Sequence, residues 1–284
     1  MTTIYLFAGQ GSQHVGMGGD LFDRFPDLES QADEILGYSI RELCLQDPHK
    51  CLDDTRFTQP ALFVVNAMAY RAQGGNGRNP GLALGHSLGE YNALEAAGAF
   101  SFADGLRLVT ARAEAMSQIT GGGMTVVVGL SESNIRFLLL RSGFDEIDVA
   151  NLNAPRQVVL AGPVHSLEDF ERIVKDAGAR MARRLQVSGP FHSRYMRPAA
   201  ERLASALHAT PFQPLLFPVI ANCTAQPYPD DGIGDLLIKQ IDHPVRWVES
   251  LEPLVVRAEN DFVEIGGTSL MSMVRQIRQA KGER

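Results

Sequence analysis

The chain contains little that would staple it, anchor it in a membrane or hold it on nucleic acid. Its 284 residues include only three cysteines, Cys44, Cys51 and Cys223. That odd number, without metal-ligand spacing, predicts neither a disulfide framework nor a metal site, and the thiols read as small buried or idle groups. No apolar run approaches the ~20 residues a membrane-spanning helix needs. The first residues, Met1-Thr2-Thr3-Ile4-Tyr5-Leu6-Phe7, carry no basic leader and read as a strand rather than a signal peptide. A cytoplasmic protein is expected, with no membrane partner. Basic charge is outnumbered, 26 Lys and Arg against 33 Asp and Glu for a net −7, and Trp247 is the only tryptophan. Nucleic-acid binding calls for a basic face and often stacking aromatics, so none is expected. Internal repeats and low-complexity tracts are missing as well.

What remains is 45% hydrophobic and 21% charged, the balance of a globular protein with a sizeable core. The length suits one large α/β domain, or one domain carrying an insertion. The most informative stretch is Gly85-His86-Ser87-Leu88-Gly89. Gly81-Leu82-Ala83-Leu84 before it reads as a short buried strand, and Glu90-Tyr91-Asn92-Ala93-Leu94-Glu95-Ala96-Ala97 after it as a helix. Strand, G-x-S-x-G and helix together describe a nucleophile elbow that exposes the Ser87 oxygen. The two glycines are expected to supply the sharp turn. The bland alternative is a tight strand-to-helix turn with an ordinary serine.

Residues 74–81, rich in glycine and asparagine, read as a flexible loop ahead of the elbow strand, and Gly121-Gly122-Gly123 as a hinge. Beyond the hinge the rhythm changes. Strands are expected at 124–129, 147–153, 157–162 and 180–187. Helices are expected at 131–140, capped by Ser131, and at 165–177. The order βαββαβ is the split unit of a ferredoxin-like subdomain. It would be inserted, as residues 123–187, into an α/β body of residues 1–122 and 188–284, leaving a cleft between two lobes.

A nucleophilic serine needs a base and donors for an oxyanion. Of seven histidines, His86 is expected to point away from the Ser87 oxygen, and His208 reads as a surface residue of an amphipathic helix at 199–207. His192, in Gly189-Pro190-Phe191-His192-Ser193, and His243, in Asp242-His243-Pro244, both lie in loops able to reach a site. Spacing does not separate them. Phe7-Ala8-Gly9-Gln10-Gly11-Ser12-Gln13 forms a second glycine-rich turn, a candidate cradle of backbone N–H groups for an anion. Without a lysine or dinucleotide-type glycine spacing it is no nucleotide loop. Arg112, on an expected helix at 105–119, reads by itself as a solvated residue.

Gly9-Gln10-Gly11-Ser12-Gln13, Gly85-His86-Ser87-Leu88-Gly89-Glu90, Arg112, Val149-Ala150-Asn151-Leu152-Asn153 and Phe191-His192-Ser193 occur in the order found in the malonyl-CoA:acyl carrier protein transacylases. The chain resembles that family over nearly its whole length. The resemblance implies an α/β fold, an α/β-hydrolase-like large subdomain with an inserted ferredoxin-like small subdomain. It implies a Ser87 nucleophile, His192 as its base, and an oxyanion hole from Gln10 and the Leu88 N–H. Arg112 would then hold the free malonyl carboxylate, where a bidentate guanidinium suits better than an ammonium. Gln59 and Gln240 match pocket positions, a backbone carbonyl near Gln240 would orient the histidine, and Phe191 stands where malonyl-selective relatives carry phenylalanine. His243 drops to a structural role, and no acidic third member of a triad is expected.

The implied substrates and partners are malonyl-CoA and an acyl carrier protein or polyketide synthase carrier domain, with no cofactor and no metal. Gly189-Pro190 departs from the small-residue patterns expected before the base, which bears on pocket shape. The chain is also slightly short for a fatty-acid enzyme. Residues 37–43 and 56–66 look more like stand-alone acyltransferases serving trans-acyltransferase polyketide synthases. The same reaction in fatty-acid synthesis, an acyl hydrolase clearing carrier proteins, a general esterase and a non-catalytic docking module are the competing readings. Because carrier proteins are acidic, a basic rim is expected, with Arg180, Arg183, Arg184, Arg194 and Arg197 as candidates.

Overall fold

The computed structural model describes residues 2–74 and 80–282. Eight strands run β1 Thr2–Phe7, β2 Leu82–Gly85, β3 Gly122–Val128, β4 Asp148–Ala154, β5 Gln157–Pro163, β6 Met181–Arg184, β7 Val219–Ile220 and β8 Asn260–Ile265. The helices are α1 Leu21–Arg24, α2 Pro26–Leu36, α3 Ile40–Leu45, α4 Thr55–Gly74, α5 Gly89–Ala96, α6 Phe102–Ser117, α7 Glu132–Ser142, α8 Val164–Asp176, α9 Arg197–Ala209, α10 Ile233–Asp242, α11 Trp247–Val255 and α12 Leu270–Gly282.

Two sheets divide the work. Strands β7, β2, β1 and β8 form a parallel sheet in that order, with Phe7 of β1 level with Gly85 of β2 and Ile265 of β8. The ends of β1 and β2 are therefore side by side, and the two glycine-rich turns that leave them meet. This is the carboxyl edge of a parallel sheet, where α/β proteins place ligands. Helix α4 runs through the large core, and every residue from 58 to 68 is buried. Over that stretch the side chains are apolar all round, with Thr58, Gln59 and Asn66 as polar exceptions.

Strands β4, β5, β3 and β6 form the second sheet, antiparallel throughout. With α7 and α8 it has the expected ferredoxin-like order and its own core, including Val127, Ile135, Leu160, Leu167 and Phe170. Helix α7 begins with a capping box between Ser131 and Asn134 and ends at Gly143 in the left-handed region, signals for start and stop written in the local sequence. Strand β4 is tied to the segment between α10 and α11 where Leu152 N donates to Val245 O at 2.9 Å and Val245 N donates to Ala150 O at 2.9 Å.

Several expectations change. Gly122 and Gly123 are strand residues paired with Pro163 and Gly162, so the expected hinge is not one. Glycine is needed for space at 122, whereas at 123 the neighbour is only the far end of a side chain. A Cβ on Gly122 would lie 2.7 Å from the Pro190 ring, and one on Gly123 2.2 Å from the Arg184 guanidinium. The last strand is four residues rather than eight. Gly74 is the final residue of α4, and residues 75–79 of the expected loop lie outside the described residues. Among the described residues, no helix is long and apolar enough to cross a membrane.

Candidate active site

Ser87 sits between β2 and α5 with φ of 52°, in the left-handed region that a residue with a Cβ adopts at a cost. The strain falls on the serine itself. Gly85 and Gly89 were expected to absorb the turn, but neither has a positive φ; they are small because three backbones converge. A Cβ on Gly85 would lie 1.9 Å from Gly89 C, one on Gly89 2.1 Å from Phe7 O, and one on Gly9 2.2 Å from His86 O. Asn222, after β7, holds the turn from outside. Its Oδ1 accepts from Ser87 N at 2.8 Å and its Nδ2 donates to Gly85 O at 2.7 Å.

His192 Nε2 lies 2.7 Å from Ser87 Oγ, and its Nδ1 lies 2.9 Å from the Gln240 carbonyl oxygen. A carbonyl only accepts, so Nδ1 carries the hydrogen and the neutral ring leaves Nε2 free to accept from the Ser87 hydroxyl. His192 also has a positive φ, 58°. Burial and the nearby Arg112 charge push its basicity down to about 3, which keeps the resting imidazole neutral. His86 is half-buried and turned away, its Nε2 2.8 Å from Asn153 Oδ1. His243 instead pairs with Asp242.

Arg112 of α6 is 1% exposed. Its Nη1 donates to Gln59 Oε1 at 2.6 Å, and its Nη2 reaches Gln240 Oε1 at 3.0 Å and Ser87 Oγ at 3.2 Å. Tyr91 lies beneath the guanidinium at 5.5 Å. The solvated reading of Arg112 is thus replaced by burial beside the serine: α6 turns this position inward between α4 and α10. Among the described residues it makes no direct ion pair with a carboxylate, and its Nε has no hydrogen-bond partner.

The structure brings Ser87, His192, Arg112, Gln59 and Gln240 into one contact network. The Gly9–Gln10 turn presses against the elbow, a Cβ on Gly9 falling 3.6 Å from Leu88 N. Neither the Gln10 nor the Leu88 backbone N–H bonds to another described residue. The Gln10 side chain is occupied, donating to Thr55 Oγ1 at 3.2 Å. Phe191 is buried in the large core next to His192 in the chain. A cavity of about 280 Å³ opens onto His192 and is lined by Asp148, Arg136, Arg194, Arg197 and His243 among others.

A family model described as an acyl transferase domain matches residues 4–280. The chain belongs to that family. It is 46% identical over 279 residues to the polyketide biosynthesis malonyl CoA-acyl carrier protein transacylase BaeC of Bacillus velezensis, covering 96% of each chain. It is equally identical over 277 residues to the polyketide biosynthesis protein PksE of Bacillus subtilis, of which it spans 36%. The crystal structure of a malonyl CoA-acyl carrier protein transacylase from Burkholderia pseudomallei superposes with a TM-score of 0.95 at 44% identity, over 98% of both chains.

In this acyl transferase domain several site residues escaped the sequence reading. Glu90, named there only as part of the motif, is fully buried, with its Oε1 accepting from Asn222 N at 3.1 Å and from the Tyr228 hydroxyl and its Oε2 from Gln240 Nε2 at 2.8 Å. Asn222 and Tyr228 lie more than 130 residues beyond the motif, and no local pattern marks them. Of the five expected rim arginines, Arg194 and Arg197 line the cavity at His192, whereas Arg180, Arg183 and Arg184 do not. Those three belong to or adjoin β6, the edge strand on the far side of β3. Arg136 of α7, unnamed in the sequence reading, takes a place at the mouth.

Proposed function

We propose that this chain is a cytoplasmic malonyl-CoA:acyl carrier protein transacylase that works through an acyl-Ser87 intermediate in polyketide synthesis. The observation that carries it is a buried guanidinium, without a direct acid partner, 3.2 Å from a serine oxygen that is itself 2.7 Å from a histidine Nε2. A malonyl carboxylate is separated from its thioester carbonyl by a single carbon. When that carbonyl meets Ser87 Oγ, the carboxylate falls within reach of Arg112.

The reaction proceeds in two displacements. His192 Nε2 takes the Ser87 proton as Oγ bonds to the thioester carbon, and the oxyanion is received by the Gln10 and Leu88 N–H groups. The carbon–sulfur bond breaks, the CoA sulfur takes the proton from His192, and malonyl-Ser87 remains. The phosphopantetheine thiol of the carrier protein then gives its proton to His192 and attacks the ester, and Ser87 recovers its proton as it leaves. The Gln240 carbonyl steadies the imidazolium in both halves, in the place an aspartate takes in a triad. Side chains and backbone amides suffice for this scheme, with no cofactor. Free cysteines and a CoA thioester fit the cytoplasm, and the names of BaeC and PksE support the polyketide setting over fatty-acid synthesis.

Intact-protein mass after brief mixing with malonyl-CoA tests the scheme. A malonyl adduct is expected that persists in water, leaves onto an added carrier protein, and is missing from Ser87→Ala. An adduct lost equally fast without carrier protein would make the chain a hydrolase.

A further inference from the structure

The strongest unexplained feature is Glu90, a carboxyl with no solvent contact in the first turn of α5. It meets three donors, Asn222 N, the Tyr228 hydroxyl and Gln240 Nε2, and no acceptor. Three donors and no acceptor describe a site built for the ionised form. A buried carboxylate is costly without a counter-charge. Among the described residues the one lysine or arginine acting on it is Arg112, reached in two steps: Gln240 gives its Nε2 to Glu90 and takes Arg112 Nη2 on its Oε1. The amide can serve both only in this orientation. A second donation from Gln240 Nε2 to Ser87 O, 2.8 Å, and the His192 contact on its backbone carbonyl hold it in place.

We infer that Glu90 is the resting counter-charge of Arg112, relayed through the Gln240 amide, and that it yields this role to an arriving malonyl carboxylate by taking a proton from solvent. The inference rests on malonyl as the acyl group proposed above. One guanidinium cannot compensate two carboxylates in a buried site, so the carboxylate outside direct contact is the one neutralised. The step forms one O–H bond on the Glu90 carboxylate from a solvent proton and breaks no bond in the protein. The titratable and charged groups facing Glu90 are Tyr228, Cys223, Tyr91 and Arg112. Burial holds the three uncharged ones in their protonated forms, above the ordinary range. Burial also raises the Glu90 carboxyl to about 7, against the pull of its donors and Arg112. Glu90 is thereby a positioning residue, acting on the reaction through Gln240.

The test is proton uptake during acylation. Ser87 is acylated with malonyl-CoA or acetyl-CoA in weakly buffered solution near pH 7 with an indicator dye. Both reactions release the same CoA thiol, so the difference isolates the carboxylate. Malonylation is expected to take up as much as about half a proton per enzyme more than acetylation, and Glu90→Gln to abolish that difference. Tyr228→Phe, which removes one donor and leaves the carboxyl in place, should move the uptake to higher pH. Equal uptake from the two donors, or a difference that survives Glu90→Gln, overturns the inference. If no malonyl adduct forms, the proposed function fails, and pH-difference infrared spectra still decide the resting pair. A carboxyl band missing from Glu90→Gln must titrate at higher pH in Arg112→Gln, and an unmoved midpoint overturns the pairing.

Discussion

A guanidinium that is 1% exposed, stacked on Tyr91 and fed by two glutamine oxygens is an expensive fixture unless a ligand completes it. Arg112→Gln is therefore expected to slow malonyl loading of Ser87 by ~10²-fold, the loss of about 3 kcal/mol from a charge-assisted pair. Acetyl loading should hold steady or rise. Initial rates of the two adducts by mass spectrometry measure the split, and an equal loss would remove Arg112 from the carboxylate's company. Burial acts with opposite signs on two neighbours. Glu90 moves from 4.5 up to about 7, so between those values the folded chain holds a proton that the unfolded chain has released, and stability falls as pH rises. His192 moves from 6.5 down to about 3; there the unfolded chain holds the proton, and stability falls as pH drops. The two oppose one another between pH 4.5 and 6.5. Glu90→Gln removes only the first, so its melting temperature relative to the unaltered protein should climb from about pH 5 to about pH 8. A flat difference would mean that Glu90 does not titrate in this range.

At the scale of elements, the elbow is a meeting of β1, β2 and α5 at distances that admit no Cβ. Gly85→Ala puts a methyl 1.9 Å from Gly89 C, a clash with backbone that cannot move aside, and should abolish acyl-enzyme formation and lower stability by several kcal/mol, on the order of the largest single-residue effects. Gly123→Ala meets only the far end of the Arg184 side chain, which can swing aside, so a cost below about 1 kcal/mol is expected. Thermal unfolding of the pair separates steric glycines from tolerant ones. The contrast also marks what a sequence can carry. The elbow and the βαββαβ lobe were legible because their signals are local: a pentapeptide between strand and helix, a Ser131 cap, alternating apolar residues. The hinge at Gly121-Gly122-Gly123 misled, because a glycine present for lack of space looks the same in sequence as one present for freedom. Arg112 lies on a helix whose periodicity does not say that α4 and α10 close over it; only the resemblance singled it out. Asn222, Tyr228 and the use made of Glu90 were not legible at all, since each depends on a partner more than 130 residues away.

Across the whole molecule, the site lies where the small lobe meets the large one. Asp148 of β4 anchors Arg194 on the large lobe, through its backbone N at 2.9 Å and its guanidinium, and Val245 threads between Ala150 and Leu152. The cavity over His192 thus takes a wall from each lobe, with Arg136 supplied by α7 and Arg194 and Arg197 by the other side. The net charge of −7 would repel an acidic carrier protein at long range, so arginines at the mouth would have to steer it, two of which, Arg194 and Arg197, already face Asp148 and Asp242. Leu140, one turn beyond Arg136 on the same face of α7, is 85% exposed and offers an apolar contact beside that charge. Arg136→Glu is expected to raise KM for the carrier protein by about tenfold and to flatten the salt dependence of transfer. Among the described residues Arg136 pairs only with Glu132 of its own helix, both side chains exposed, a contact worth a few tenths of a kcal/mol. Folding should therefore be untouched. Carrier-protein titrations at low and high salt, with melting temperature as the control, decide it. A salt dependence as steep as that of the unaltered enzyme would place the docking surface away from α7, on the large lobe alone.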